Sequence, residues 1–118
     1  MMFEITGRPR NKELVEIYAE NLIRRLGLHR RKTGTIIINF RRQMPKGYGD
    51  SVGACEGDRK GADIDIAKKQ TFYEQMITLA HEMVHAKQFM RGEYPSEMEA
   101  KTREYDLFGR CYPWEMVK

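Results

Sequence analysis

The spacing of apolar residues changes several times along the chain, and each change marks a different element. In "KELVEIYAENLIRRL" the positions Leu14, Ile17, Tyr18, Leu22 and Ile23 recur at helical intervals, predicting a helix over about residues 12–26. Asn11 is placed to cap its start and Gly27 to end it. "GTIIINF", 34–40, is dense in β-branched residues and reads as a strand. The glycine-rich stretch that follows holds two shorter candidate strands, 51–56 and 62–67, with "GDRKG" between them as a hairpin turn. The second of these, "ADIDIA", alternates apolar and acidic residues, as does a strand with one wet face or one lying at a sheet edge.

From Thr71 the helical period returns. "TFYEQMITLAHEMVHAKQFMRG" sets Phe72, Met76, Leu79, Ala80 and Met83 along one side, with Thr71 and Glu74 spaced as a capping box and Gly92 as a stop. A last helix begins in "PSEMEAKTREYDLFG", with Ser96 as N-cap, Glu99 three residues on, and Gly109 as its expected end. In the tail, Tyr112, Trp114, Met116 and Val117 are expected to cover the open end of the core. The predicted fold is α+β: a helix, a small three-stranded sheet and two further helices in a single domain over 1–118.

Composition narrows the setting without choosing a function. A net charge of +4 from 21 basic and 17 acidic residues permits weak nucleic-acid contact but lacks the density of a dedicated nucleic-acid arm. Arg30, Arg31, Arg41 and Arg42 flank the first predicted strand and read by default as a charged rim. Two cysteines, Cys55 and Cys111, match neither a disulfide scaffold nor a thiolate metal site, so free thiols in a reducing, cytoplasmic compartment are expected. No apolar run approaches the roughly 18 residues of a membrane span. Neither a phosphate-binding loop nor a dinucleotide fingerprint is present.

Candidate chemistry lies in "LAHEMVHAKQFM", 79–90. His81 and His85 are four apart on a predicted helix, so both imidazoles leave the same face one turn apart and can converge on one cation. Glu82 stands beside them, able to take a proton from a water activated by that cation. This is the H-E-x-x-H arrangement of zinc hydrolases. The alternative, two solvent histidines on a surface helix, fits poorly with Leu79, Ala80, Met83 and Val84 around the pair.

A catalytic zinc takes three protein ligands and keeps a fourth position open. The one remaining histidine, His29, precedes the first predicted strand, so the third ligand is expected to be a carboxylate among Glu93, Glu97, Glu99, Glu104 and Asp106. Helical geometry favours Glu97, which shares a side with Ala100, Glu104, Leu107 and Phe108, whereas Glu99 has a capping role open to it. Glu104 is a candidate to orient a ligand histidine, or to be the ligand itself, or to pair with Lys101 or Arg103. For the oxyanion of a tetrahedral intermediate, Tyr94, Arg103, Tyr105 and Tyr112 all follow the HExxH helix, with Tyr105 preferred.

"HEMVH" followed by "EMEA" resembles the gluzincin group of zinc metallopeptidases, whose second helix carries a glutamate ligand in an E-x-x-A or E-x-x-S pattern followed by an acidic or amide residue. Glu97 to Ala100 match, and Lys101 departs at the fifth place. The element order also resembles the minimal zincin-like domains of SprT-like and ImmA/IrrE-like phage and bacterial proteins, although the former add a histidine that this chain lacks. The specific likeness covers residues 77–100. It implies zinc-dependent peptide hydrolysis with Glu82 as general base, on a peptide or protein substrate bound in extended form along an edge strand, the place that "ADIDIA" occupies here. A non-catalytic zinc-bound adaptor associated with DNA is the alternative expectation.

Overall fold

The computed structural model describes residues 1–116. Four strands and three α-helices run in the order β1 (Met2–Thr6), α1 (Lys12–Arg25), β2 (Thr35–Arg41), β3 (Gly53–Asp58), β4 (Gly61–Ala67), α2 (Phe72–Met90) and α3 (Glu97–Cys111), with short 3-10 turns at Leu28–Arg30 and Trp114–Met116. The α+β class stands, but the sheet has four strands rather than three, in the order β1-β2-β4-β3. β1 pairs parallel to β2, and β2 parallel to β4, while β3 runs antiparallel to β4.

β1 escapes a reading of periodicity because it is five residues long and acquires its partner only after the chain has crossed over through α1. The β3–β4 hairpin turns on two residues, Arg59 and Lys60, between the paired Asp58 and Gly61, so β3 runs two residues further than predicted. Asp58 closes this turn by accepting from the Lys60 amide at 2.7 Å.

One face of the sheet builds the core. Ile36, Ile38 and Phe40 of β2 and Ala62, Ile64 and Ile66 of β4 join one buried cluster with Leu14, Tyr18 and Leu22 of α1 and Met76, Leu79 and Met83 of α2. The other face is polar: Thr6, Asn39 and Asp65 lie in register across three strands and are hydrogen-bonded in a row, and Arg41 closes the row on Asp65. "ADIDIA" therefore has its wet face, but β4 is not an edge. It is paired on both sides, and the free edge beside α2 belongs to β3.

Most helix ends follow the expected signals. Asn11 caps α1 by accepting from the Leu14 amide, and the Thr71–Glu74 capping box is complete in both directions. Gly92, at φ 68°, ends α2, with the Glu93 amide on the Gln88 carbonyl and the Gly92 amide on that of Phe89. α3 does not stop at Gly109 but continues to Cys111. It continues because its last turn is held by burial of Leu107, Cys111 and Tyr112. Tyr18, Phe108, Tyr112 and Trp114 pack edge-on or tilted against one another, with Trp114 and Tyr112 centred 4.7 Å apart. Met116 also packs against the core, as expected of the tail, and Val117 lies outside the described residues.

Two of the flanking arginines have structural work. Arg31 donates to the carbonyls of Met90 and Arg59, and Arg41 pairs with Asp65. No helix is long and apolar enough to cross a membrane.

Candidate metal centre

His81, Glu82 and His85 occupy the middle of α2, where the residues around them, Leu79, Ala80, Met83, Val84 and Ala86, are fully buried. Packing on that side leaves the two imidazoles at the boundary between core and solvent, with ring centres 5.1 Å apart. α3 returns along α2, so that its first turn meets the later half of α2 and its last turn meets the start. This brings Glu97 over both rings. Its two carboxylate oxygens lie 2.7 Å from His81 Nε2 and 3.0 Å from His85 Nε2. Ligand atoms of His81, His85 and Glu97 all fall within 4.8 Å of one another, so these three can hold a metal ion.

The far side of each ring is also engaged. His81 Nδ1 lies 2.8 Å from Glu104 Oε2. A carboxylate there serves as acceptor for the Nδ1–H, and Nε2 is the nitrogen turned to Glu97. His85 Nδ1 lies 2.9 Å from Gln88 Oε1. Of the contacts open to Glu104, the structure has the one with His81, and no ion pair with Lys101 or Arg103.

Glu82 is 7% exposed and faces a cleft of about 380 Å³. Ser51, Val52 and Gly53 form the β3 side of this cleft, Thr78 lies on its α2 side, and Lys101 and Glu104 lie on its α3 side. Burial pushes the Glu82 carboxyl up to about 7, against the opposing pull of His81 and His85. For Glu97 burial acts upward as well, but the two histidines outweigh it and hold the carboxyl below its ordinary range. The floor of the cleft depends on Gly53. A Cβ there would lie 2.4 Å from Thr78 Cγ2 and 3.0 Å from Glu82 Oε2.

Glu99 is drawn away from the centre. The Glu99 amide donates to Ser96 Oγ, but its carboxylate does not return to the Ser96 amide, so the predicted capping box is only half formed. The Ser96 amide donates instead to Gln88 Oε1 at 3.1 Å, and the Glu99 carboxylate accepts from Gln88 Nε2 and Lys87 Nζ. Those two bonds hold Glu99 down to about 2.

Tyr105 stands elsewhere. It is 68% exposed and is not among the cleft-lining residues, whereas Lys101 is. Tyr94 is almost fully exposed, Tyr112 lies in the aromatic cluster, and Arg103 bonds Glu99. Gln88, Gly53 and Thr78 join the surroundings of the two histidines beyond the residues that the sequence motif names. Gln88 had a legible signal, standing three residues after His85 on the same helical face. The cleft contacts of Gly53 come from a strand distant in sequence and had none. Compared with protein-family models, curated proteins and solved structures, the chain has no match.

Proposed function

We propose that this chain is a zincin-like, zinc-dependent peptide hydrolase, in which His81, His85 and Glu97 hold the metal and Glu82 is the general base. The observation that carries the reading is the convergence of two Nε2 atoms on one carboxylate while both Nδ1 atoms are turned to other acceptors. With the protons on Nδ1, those Nε2 lone pairs can face Glu97 only if each ring takes a second proton or a cation lies between them. The nitrogen and oxygen donors suit zinc. One ligand atom from each of the three side chains lies within 4.8 Å of the others, close enough for them to share one ion.

A zinc ion bound there supplies a water of lowered pKa and polarises a substrate carbonyl. Glu82, largely buried beside the cleft with its carboxyl pushed up to about 7, accepts the proton of the attacking water and passes it to the leaving amine. The free edge of β3 runs beside the cleft through Gly53, where an extended peptide can add as a further strand. Lys101, which breaks the glutamate-helix pattern, is the cation on the cleft wall and the donor for a developing oxyanion. Its position favours it over Tyr105.

Metal analysis of the purified protein and a peptide-library assay test this reading together. The wild type should carry one zinc per chain, Glu97→Ala should lose it, and Glu99→Ala should keep it. Glu82→Gln should retain zinc and lose hydrolysis by a factor of at least about 100. Full activity in the Glu82→Gln protein would sink the mechanism, and zinc lost with Glu99→Ala but not with Glu97→Ala would overturn the ligand assignment. Zinc bound without cleavage of any peptide would favour the non-catalytic adaptor.

A further inference from the structure

Gln88 is completely buried, with a relative exposure of 0%, at the junction of α2 with the turn that leads into α3. All of its polar atoms are engaged. Its Nε2 donates to the Ser96 carbonyl at 3.1 Å and to Glu99 Oε1 at 2.8 Å. Both partners are acceptors only, so the nitrogen of the amide must stand on that side. Its Oε1 accepts from the Ser96 amide at 3.1 Å, a donor that fixes the oxygen on the other side independently. The same oxygen meets His85 Nδ1 at 2.9 Å. An amide oxygen cannot donate, so the hydrogen of this contact belongs to the imidazole.

We propose that Gln88 is a positioning residue of the metal centre, which locks His85 as its Nδ1–H tautomer and presents the Nε2 lone pair toward Glu97. The proton on His85 Nδ1 follows from the hydrogen bonds alone; the free Nε2 lone pair and its consequence for metal affinity rest on the zinc reading above. The two histidines are then held by different chemistry, a carboxylate on His81 and a neutral amide on His85. The amide brings no second negative charge to the His85 side, and it ties that ring to Ser96, the residue that caps α3 just before Glu97. The third ligand and the second histidine are therefore set by one side chain.

The test compares Gln88→Met, which keeps the volume and loses the acceptor, with Gln88→Glu, which restores an acceptor but removes the donor and sets a carboxylate against Glu99. If Gln88 were only a packing element, Gln88→Glu would be the more damaging. Positioning gives the reverse order for metal affinity: Gln88→Met should bind zinc about 10- to 100-fold more weakly in chelator competition, and Gln88→Glu should recover part of that loss. Long-range proton–nitrogen spectra of the metal-free protein at a pH of about 8.5, above the ordinary histidine range, should show a protonated Nδ1 on both histidines. In Gln88→Met this pattern should be lost at His85 and kept at His81, whose partner Glu104 is untouched, which separates a local effect from misfolding. A His85 that coordinates through Nδ1 in the wild type overturns the proposal without any variant, as does Gln88→Met with undiminished zinc affinity. Should the wild type bind no zinc, the metal reading falls alone, and the tautomer is decided by the same metal-free spectra.

Discussion

Replacing Gly53 by alanine places one methyl group where β3 and α2 meet under the cleft. The new carbon would stand 2.4 Å from Thr78 Cγ2, more than an ångström inside the roughly 3.5–4.0 Å at which carbon atoms attract. Thr78 cannot swing clear, because it is β-branched on a helix and its hydroxyl donates to Gln70 Oε1 at 2.9 Å. Overpacking of this kind costs about 1–3 kcal/mol. In urea, a loss of about 2 kcal/mol moves the midpoint by roughly 1 M for a domain of this size. Thr78→Ser removes the methyl in conflict and keeps the hydroxyl, at a cost of about 0.8 kcal/mol for one buried carbon. In the double variant the alanine methyl occupies the space that the threonine methyl vacated. The two losses should therefore fail to add, with a coupling of about 1–3 kcal/mol in the rescuing direction. The second close approach, 3.0 Å to Glu82 Oε2, is untouched by the serine, so stability should return while the hydrolysis proposed above stays depressed. Equilibrium denaturation of all four proteins, followed by Trp114 fluorescence, measures the cycle. An unchanged midpoint for Gly53→Ala, or strict additivity with Thr78→Ser, would refute the stated packing of β3 on α2.

Tyr18→Phe should lower stability by about 1 kcal/mol, read from the same denaturation curve, because the buried hydroxyl donates to the Met76 carbonyl at 2.7 Å while the ring packing survives. Burial pushes both cysteine thiols up from their ordinary range. Thiolate is the reactive form, so a raised pKa leaves less of it at neutral pH. Both thiols should react with an aromatic disulfide reagent far more slowly in native protein than after denaturation. Native reaction at the rate of free cysteine would contradict the burial of Cys111 against the core.

Much of this site is local and was legible as such. An α-helix repeats every 3.6 residues, so the apolar stripe, the Thr71–Glu74 box and the pairing of His81 with His85 on one face are all properties of a few adjacent residues. Glu97 also emerged from sequence, since the histidines run out and its helical neighbours on one side are apolar. Three dimensions decided the remainder. β1 is a strand because β2 lies beside it, 33 residues on in register. Edge status passed from β4 to β3 because β2 takes the other side of β4, a choice of sheet order that alternation cannot encode. Gly53 forms the cleft floor, Tyr105 lies outside it, and Gln88 joins His85 to Ser96, because α2, α3 and β3 approach at particular angles and distances. Periodicity states which face of an element is apolar. Which polar atoms meet across two such faces depends on how the elements pack, and that packing completed the surroundings of the two histidines.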